Sequence, residues 1–166
     1  MTVFCNTSRL GIANLDTVDT TARVSVGTTI EGYDDVTGQE SEYQYVRFAA
    51  TTTVGQAVTL NNTTKAVLAS STTHANSGIA IGFAVGASYA ADQYGWVQTG
   101  GKAKVKAATV AAAGKVQLTT TAGTVDDAAV AGAQLAGAVF ETADGTPAAG
   151  FAYANINRPR VQTQIT

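Results

Sequence analysis

Few side chains in this sequence are equipped for catalysis or metal binding. There is one histidine, His74, and one cysteine, Cys5. His74 lies in the polar run 70–77, with no nucleophile pattern beside it and no Gly-x-Ser-x-Gly in the chain. A nucleophile–base pair needs a positioned partner, so the expectation for His74 is a solvent-facing loop residue. One thiol and one imidazole do not build a zinc site, and a single cysteine allows no internal disulfide. The acidic stretch Glu31, Asp34, Asp35, Glu40 and Glu42 offers oxygen ligands of the kind calcium takes. Gly38 and Glu42 do not fall where an EF-hand loop requires them, so the stretch reads as a solvated acidic loop. Residues 95–102 carry two glycines at the phosphate-loop separation, but Gly101 stands where that loop has lysine, and Lys102, one residue late, is followed by Ala103 in place of the hydroxyl residue. Neither a cofactor nor an enzymatic activity is expected.

One charged pattern does carry positional information. Lys102, Lys104 and Lys106 alternate with Ala103, Val105 and Ala107. On a strand this spacing sets three ammonium groups along one face. Two readings follow. The lysines blunt an edge strand against aggregation, or they form a cationic stripe that meets an acidic surface on a partner or neighbouring subunit. The acidic 31–42 stretch, with Asp34 and Asp35, is the candidate mate, and such complementarity steers assembly more than it strengthens it.

The elements that must hold these residues are β in character. The chain has 166 residues, enough for one domain or one domain plus an arm. Only 13% of residues are charged and the net charge is −2. This argues against a disordered chain and against a general nucleic-acid binder. The N-terminus lacks the basic start and apolar core of a signal peptide, and no apolar run reaches the length of a membrane helix. A chain folded in the cytosol, with no membrane partner, is expected.

Residues 1–22 hold scattered single apolar residues, Phe4, Leu10, Ile12 and Leu15, with no surviving period. They read as an extended arm ordered on another surface, or as an edge strand of the same domain. Over 23–166 the alternations of Val24, Val26, Thr28 and Ile30, of Tyr43, Tyr45 and Arg47, and of Ile79, Ile81 and Phe83 predict strands. Gly100-Gly101 predicts a turn between strands over 94–98 and 102–110. Asp144-Gly145 predicts a hairpin between 138–142 and 146–153. The alanine-rich 124–138 stretch carries the main helix signal. Pro159 is expected to end the last strand, leaving a tail that adds a strand to another subunit or frays. Tyr89, Tyr94 and Trp96 are expected in the core. The fold class is all-β, a small barrel or sandwich with at most one or two short helices.

Several of these stretches together resemble the phage head decoration, or capsid cement, proteins. They are Tyr94-Gly95-Trp96-Val97-Gln98-Thr99-Gly100-Gly101-Lys102-Ala103-Lys104-Val105, then Ala112-Ala113-Gly114-Lys115-Val116-Gln117-Leu118 and Thr120-Thr121-Ala122-Gly123-Thr124-Val125-Asp126, with the strand-like 42–46, 78–82 and 137–140. The resemblance covers roughly residues 31–153. It implies a β-tulip-like domain on the outer surface of a virion, commonly a homotrimer, whose N-terminal arm orders against the major capsid protein. Phe4, Leu10, Ile12 and Leu15 would be the anchors of that arm, because they are its apolar residues. The function implied is passive bridging of neighbouring capsid subunits. An adhesive or fibre-type module that binds glycans through exposed aromatic rings is the alternative.

Overall fold

The computed structural model describes residues 3–5, 14–35, 37–61, 65–110 and 114–163. Their regular elements are β1 (Val3–Cys5), β2 (Thr29–Asp34), β3 (Gln39–Arg47), β4 (Thr52–Thr53), β5 (Ala57–Leu60), the single-turn helix α1 (Ser71–His74), β6 (Ala80–Ala84), β7 (Ser88–Tyr89), β8 (Tyr94–Lys106), β9 (Lys115–Leu118), β10 (Val125–Asp126), β11 (Gln134–Phe140) and β12 (Phe151–Val161). The domain is all-β. Nine strands follow one another in the order β1-β2-β3-β8-β6-β12-β11-β9-β10, β5 joins at β6, and β4 and β7 pair separately. All these pairings are antiparallel. The end strands β1 and β10 do not meet, so the sheet is not closed into a barrel; of the two expected architectures the sandwich is the one that fits.

β8 organises the molecule. Its first half pairs with β3, from Arg47↔Tyr94 to Tyr43↔Gln98, and is buried on both faces. On one face Tyr45 and Trp96 pack with Leu15, Ile30, Tyr43 and Val85. On the other Val97 packs with Val46, Phe48, Val58, Ala84 and Tyr89. The second half of β8 pairs with β12, from Asn157↔Gly100 to Phe151↔Lys106, and is buried on one face only. Ala103 and Val105 enter the main core with Phe83, Leu118, Leu135, Phe140 and Ile156, while Lys102, Lys104 and Lys106 point away. The predicted turn at Gly100-Gly101 is therefore a bend inside one 13-residue strand. Gly101 has φ +89, and a Cβ there would overlap Ser41 Oγ and stand 3.1 Å from the Glu40 carbonyl oxygen. Only glycine takes that backbone without strain, so strand pairing continues through the bend.

β12 turns at the same level. It pairs with β8 up to Asn157, then Arg160 pairs with Ala80 of β6. Between these contacts Arg158 has φ +44 and Pro159, which has no N–H to offer a ladder, is buried. Pro159 thus sits at a corner within β12 and does not end the strand.

Other expectations change in defined ways. The run 124–138 is not helical: β10 and β11 fall within it, and Gly137 adopts φ +83 against the Asn157 carbonyl. The 138–153 hairpin exists as the β11–β12 pair, but its connection spans residues 141–150, far longer than a two-residue turn. The alternation from Val24 becomes strand only at Thr29.

The arm boundary also moves. Leu15 is fully buried among Tyr43, Tyr45 and Trp96, and Asp19 exchanges backbone hydrogen bonds with Tyr94 of 2.9 and 2.8 Å. Residues 14–22 therefore lie on their own domain, where they shield a set of large aromatic rings that would otherwise face water. The Asp19 carboxylate accepts a hydrogen bond from Tyr45 Oη (2.8 Å) and pairs with Arg23 Nε (2.7 Å), so its burial leaves it satisfied.

Candidate functional site

The described residues offer one extended, chemically patterned surface, the outward face of β2, β3, β8 and β12. Antiparallel partners project to the same side, so the registers define its members. On β8 they are Gly100, Lys102, Lys104 and Lys106. Opposite them on β12 stand Asn157, Asn155, Tyr153 and Phe151. Across β3, Glu42 faces Gly100, and Glu31 and Tyr33 of β2 face Glu42 and Glu40.

The basic half of this face is built on aromatic rings. Lys102 Nζ lies 4.7 Å from the Tyr153 ring centre, and Lys104 Nζ 4.1 Å from that of Phe151. Both distances fall within cation–π range. Lys102 also pairs with Glu141 at 3.1 Å. Lys104 and Lys106 have no carboxylate partner among the described residues. Over Lys102–Lys106 the strand partner of β8 is β12, since β3 and β6 pair with its first half, and on the opposite side the Lys106 N–H donates to the Gly55 carbonyl at 2.7 Å.

The acidic half adjoins it. Gly100 and Gly101 carry no side chains and form the floor of a groove of about 360 Å³. Glu31, Glu40 and Glu42 line one side; Asn155 and Asn157 line the other. Glu31 and Glu42 are cross-strand neighbours, a like-charged arrangement that is unfavourable by itself. Arg158 relieves half of it by binding Glu42, and its hydrogen bonds hold the Glu42 carboxyl below its ordinary value. Beneath the groove Gln98 Nε2 lies 3.0 Å from Ser41 Oγ and from each of the Gly100 and Lys102 carbonyl oxygens, so its two N–H groups are shared among these three acceptors at the bend.

The remaining candidate residues fall elsewhere. Asp34 is buried on the inward side of the β2–β3 hairpin, where its Oδ2 accepts a hydrogen bond from Thr37 Oγ1 at 3.0 Å. Alternation along β2 thus turns Asp34, expected as a mate of the lysines, away from the face that carries Glu31. Asp35 is exposed at the hairpin turn. The acidic stretch is thus divided between two faces, and among the described residues no three His, Cys, Asp or Glu side chains converge on one point. Leu15 is a core residue and not an accessible anchor. Phe4 stands in β1 with its backbone paired to Tyr33, and Leu10 and Ile12 lie outside the described residues.

His74 ends α1 and is half-buried, its Nδ1 2.7 Å from Thr73 Oγ1 and 3.3 Å from the Ser70 backbone nitrogen. These contacts cap a local turn. Tyr89 and Trp96 are buried and Tyr94, partly buried, stacks on Tyr45, so the trio packs with the core as expected. No helix among the described residues is long and apolar enough to cross a membrane.

Sequence reading singled out the lysines but missed Gly100, Gly101, Tyr153 and Phe151 as parts of the same surface. The two-residue spacing of Glu40 and Glu42 was the available signal for an acidic counterpart. No family model, no curated protein and no solved structure matches the chain.

Proposed function

We propose that this protein is a structural decoration protein that binds the outer surface of a phage head and bridges neighbouring major capsid protein subunits. The observation that carries this reading is the position of β1. It is the terminal strand of the sheet, it pairs only with β2 among the described residues, and it belongs to the stretch that precedes the buried Leu15. A terminal strand paired on one side offers backbone N–H and C=O groups to a strand of another chain. The low charge density supports the same reading, because burial of unpaired charges in extensive protein contacts is costly.

The mechanism is passive. Each copy adds contact area across a seam between capsid subunits, and many copies on one shell add avidity, so modest single-site affinity suffices. The anchoring stretch is 1–13, since residues 14–22 are built into the domain. Deletion of residues 1–13 is expected to leave a folded protein, by circular dichroism and thermal melting, that no longer co-sediments with expanded heads. Undiminished co-sedimentation of the truncated protein would refute the arm's role. Failure of the full chain to bind heads would refute the reading itself.

A further inference from the structure

The outward face of β2, β3, β8 and β12 is basic at one end and acidic at the other. We propose that it is a self-recognition surface on which a second copy of this chain docks face to face about a two-fold axis, with Lys104 and Lys106 of each copy lying at the Glu31–Glu40 groove of the other. This inference does not depend on the capsid reading.

Four observations carry it. First, charge is segregated on the face. Three of the chain's five lysines stand on one half of β8, and three of its four glutamates stand on the β2–β3 hairpin beside it. The two sets share the two-residue strand repeat of about 6.6–6.8 Å, so a strand bearing one set is in step with a strand bearing the other.

Second, three members of these sets, Lys104, Lys106 and Glu31, have no ion pair among the described residues. Glu31 stands directly across from Glu42. Arg158 serves Glu42, and Glu141 serves Lys102.

Third, the acidic end is concave, and the basic end carries lysines laid over aromatic rings. The groove over Gly100 and Gly101 is open, and its residues Glu31 and Glu40 are exposed. Lysine is a compact charge with three donors on a flexible stem, suited to such a recess.

Fourth, both halves lie on one side of one sheet. A two-fold axis lying parallel to that face, along the boundary between its halves, brings each half over its opposite simultaneously, which is the condition for an isologous interface.

The size of the face sets the strength of the contact. Four strands by six residues span roughly 20 by 20 Å. This is about half of the ~800 Å² per partner found in stable complexes. The pair is therefore weak, dependent on low ionic strength and favoured where local concentration is high, as on a crowded lattice.

The test is analytical ultracentrifugation of the full chain at about 50 mM and about 500 mM salt, with the single charge reversals Lys104→Glu and Glu31→Lys. Wild type is expected to show a monomer–dimer equilibrium that weakens about tenfold or more at the higher salt. Each variant alone is expected to be monomeric, since a two-fold pair places like charges together twice. Mixed at equal ratio they are expected to form a 1:1 dimer, because one contact is then the native Lys104–Glu31 pair and the other is restored with inverted sign. Melting curves establish that each variant is folded, and Lys106→Glu provides an independent reversal that leaves the Lys104 contact with Phe151 intact. A wild type that is monomeric at low salt, a dimer indifferent to the reversals, or a mixture that does not associate would overturn the proposal. Salt-sensitive chains larger than two copies would overturn the two-fold arrangement.

Discussion

Glu42 and Arg158 are joined by two parallel hydrogen bonds, Arg158 Nε to Glu42 Oε2 and Nη2 to Oε1, each 2.9 Å long, across 116 positions of sequence. The pair bridges β3 and β12 over the strand that separates them. It forms where β12 leaves β8, and the positive φ of Arg158 turns the side chain toward that point. Fork-to-fork pairing of this kind adds direction as well as attraction. It therefore fixes the shape of the groove beside it more than it stabilises the fold, since both side chains are substantially exposed.

A pH dependence follows from this pair. Hydrogen bonding to Arg158, with its charge, holds the Glu42 carboxyl below its ordinary 4.5 in the folded protein. A lowered folded-state value means that the stabilisation is complete above the ordinary carboxylate range and is lost as pH falls through the lowered value. Glu42→Gln should therefore be slightly less stable than wild type at neutral pH, and the difference should shrink below about pH 4. Urea denaturation of both proteins across the acid range measures this; a gap that widens on acidification would contradict it.

Tyr45 is the tie between the N-terminal segment and the sheet. Its hydroxyl donates to buried Asp19 and accepts from the Arg23 backbone N–H. Tyr45→Phe removes one of the partners of a buried carboxylate, at a cost of roughly 1.5–3 kcal/mol. The loss should be accompanied by faster amide exchange at the Asp19–Tyr94 bridge than in β8–β12. Chemical denaturation gives the first quantity and hydrogen exchange the second.

Leu15 makes the same point through packing. It is fully buried against tyrosine and tryptophan rings, so Leu15→Ala should destabilise the domain by about 2–5 kcal/mol. A melting temperature unchanged by the substitution would mean that residues 14–22 do not belong to the domain.

Gly101 ties the bend to the groove. Gly101→Ala places a Cβ against Ser41 and the Glu40 carbonyl at a backbone angle that alanine disfavours, with an expected cost of roughly 1–3 kcal/mol. Shifts of the Ser41, Gln98 and Asn155 resonances, with the Phe83 and Leu135 methyl and ring signals little changed, would place the damage at the groove and not in the core.

The all-β class, the outward direction of Lys102, Lys104 and Lys106, and the burial of Tyr89 and Trp96 were legible in the order of residues alone. Side-chain direction along a strand repeats every two residues whatever lies across from it, and aromatic and β-branched content favours such strands. The same local rule misled at 124–138 and at Gly100-Gly101. Helix and turn signals there were overridden by pairing with β9 and β12, whose contribution comes from residues distant in sequence. Which carboxylates share a face with the lysines was decided by register. Glu31 and Asp34 are three positions apart, and an odd separation along a strand sends one to the surface and the other inward. The fate of Leu15 was likewise set by the aromatic face that β3 and β8 create together: an isolated leucine in a polar run carries no period, and only the assembled sheet supplies the apolar surface that draws it in.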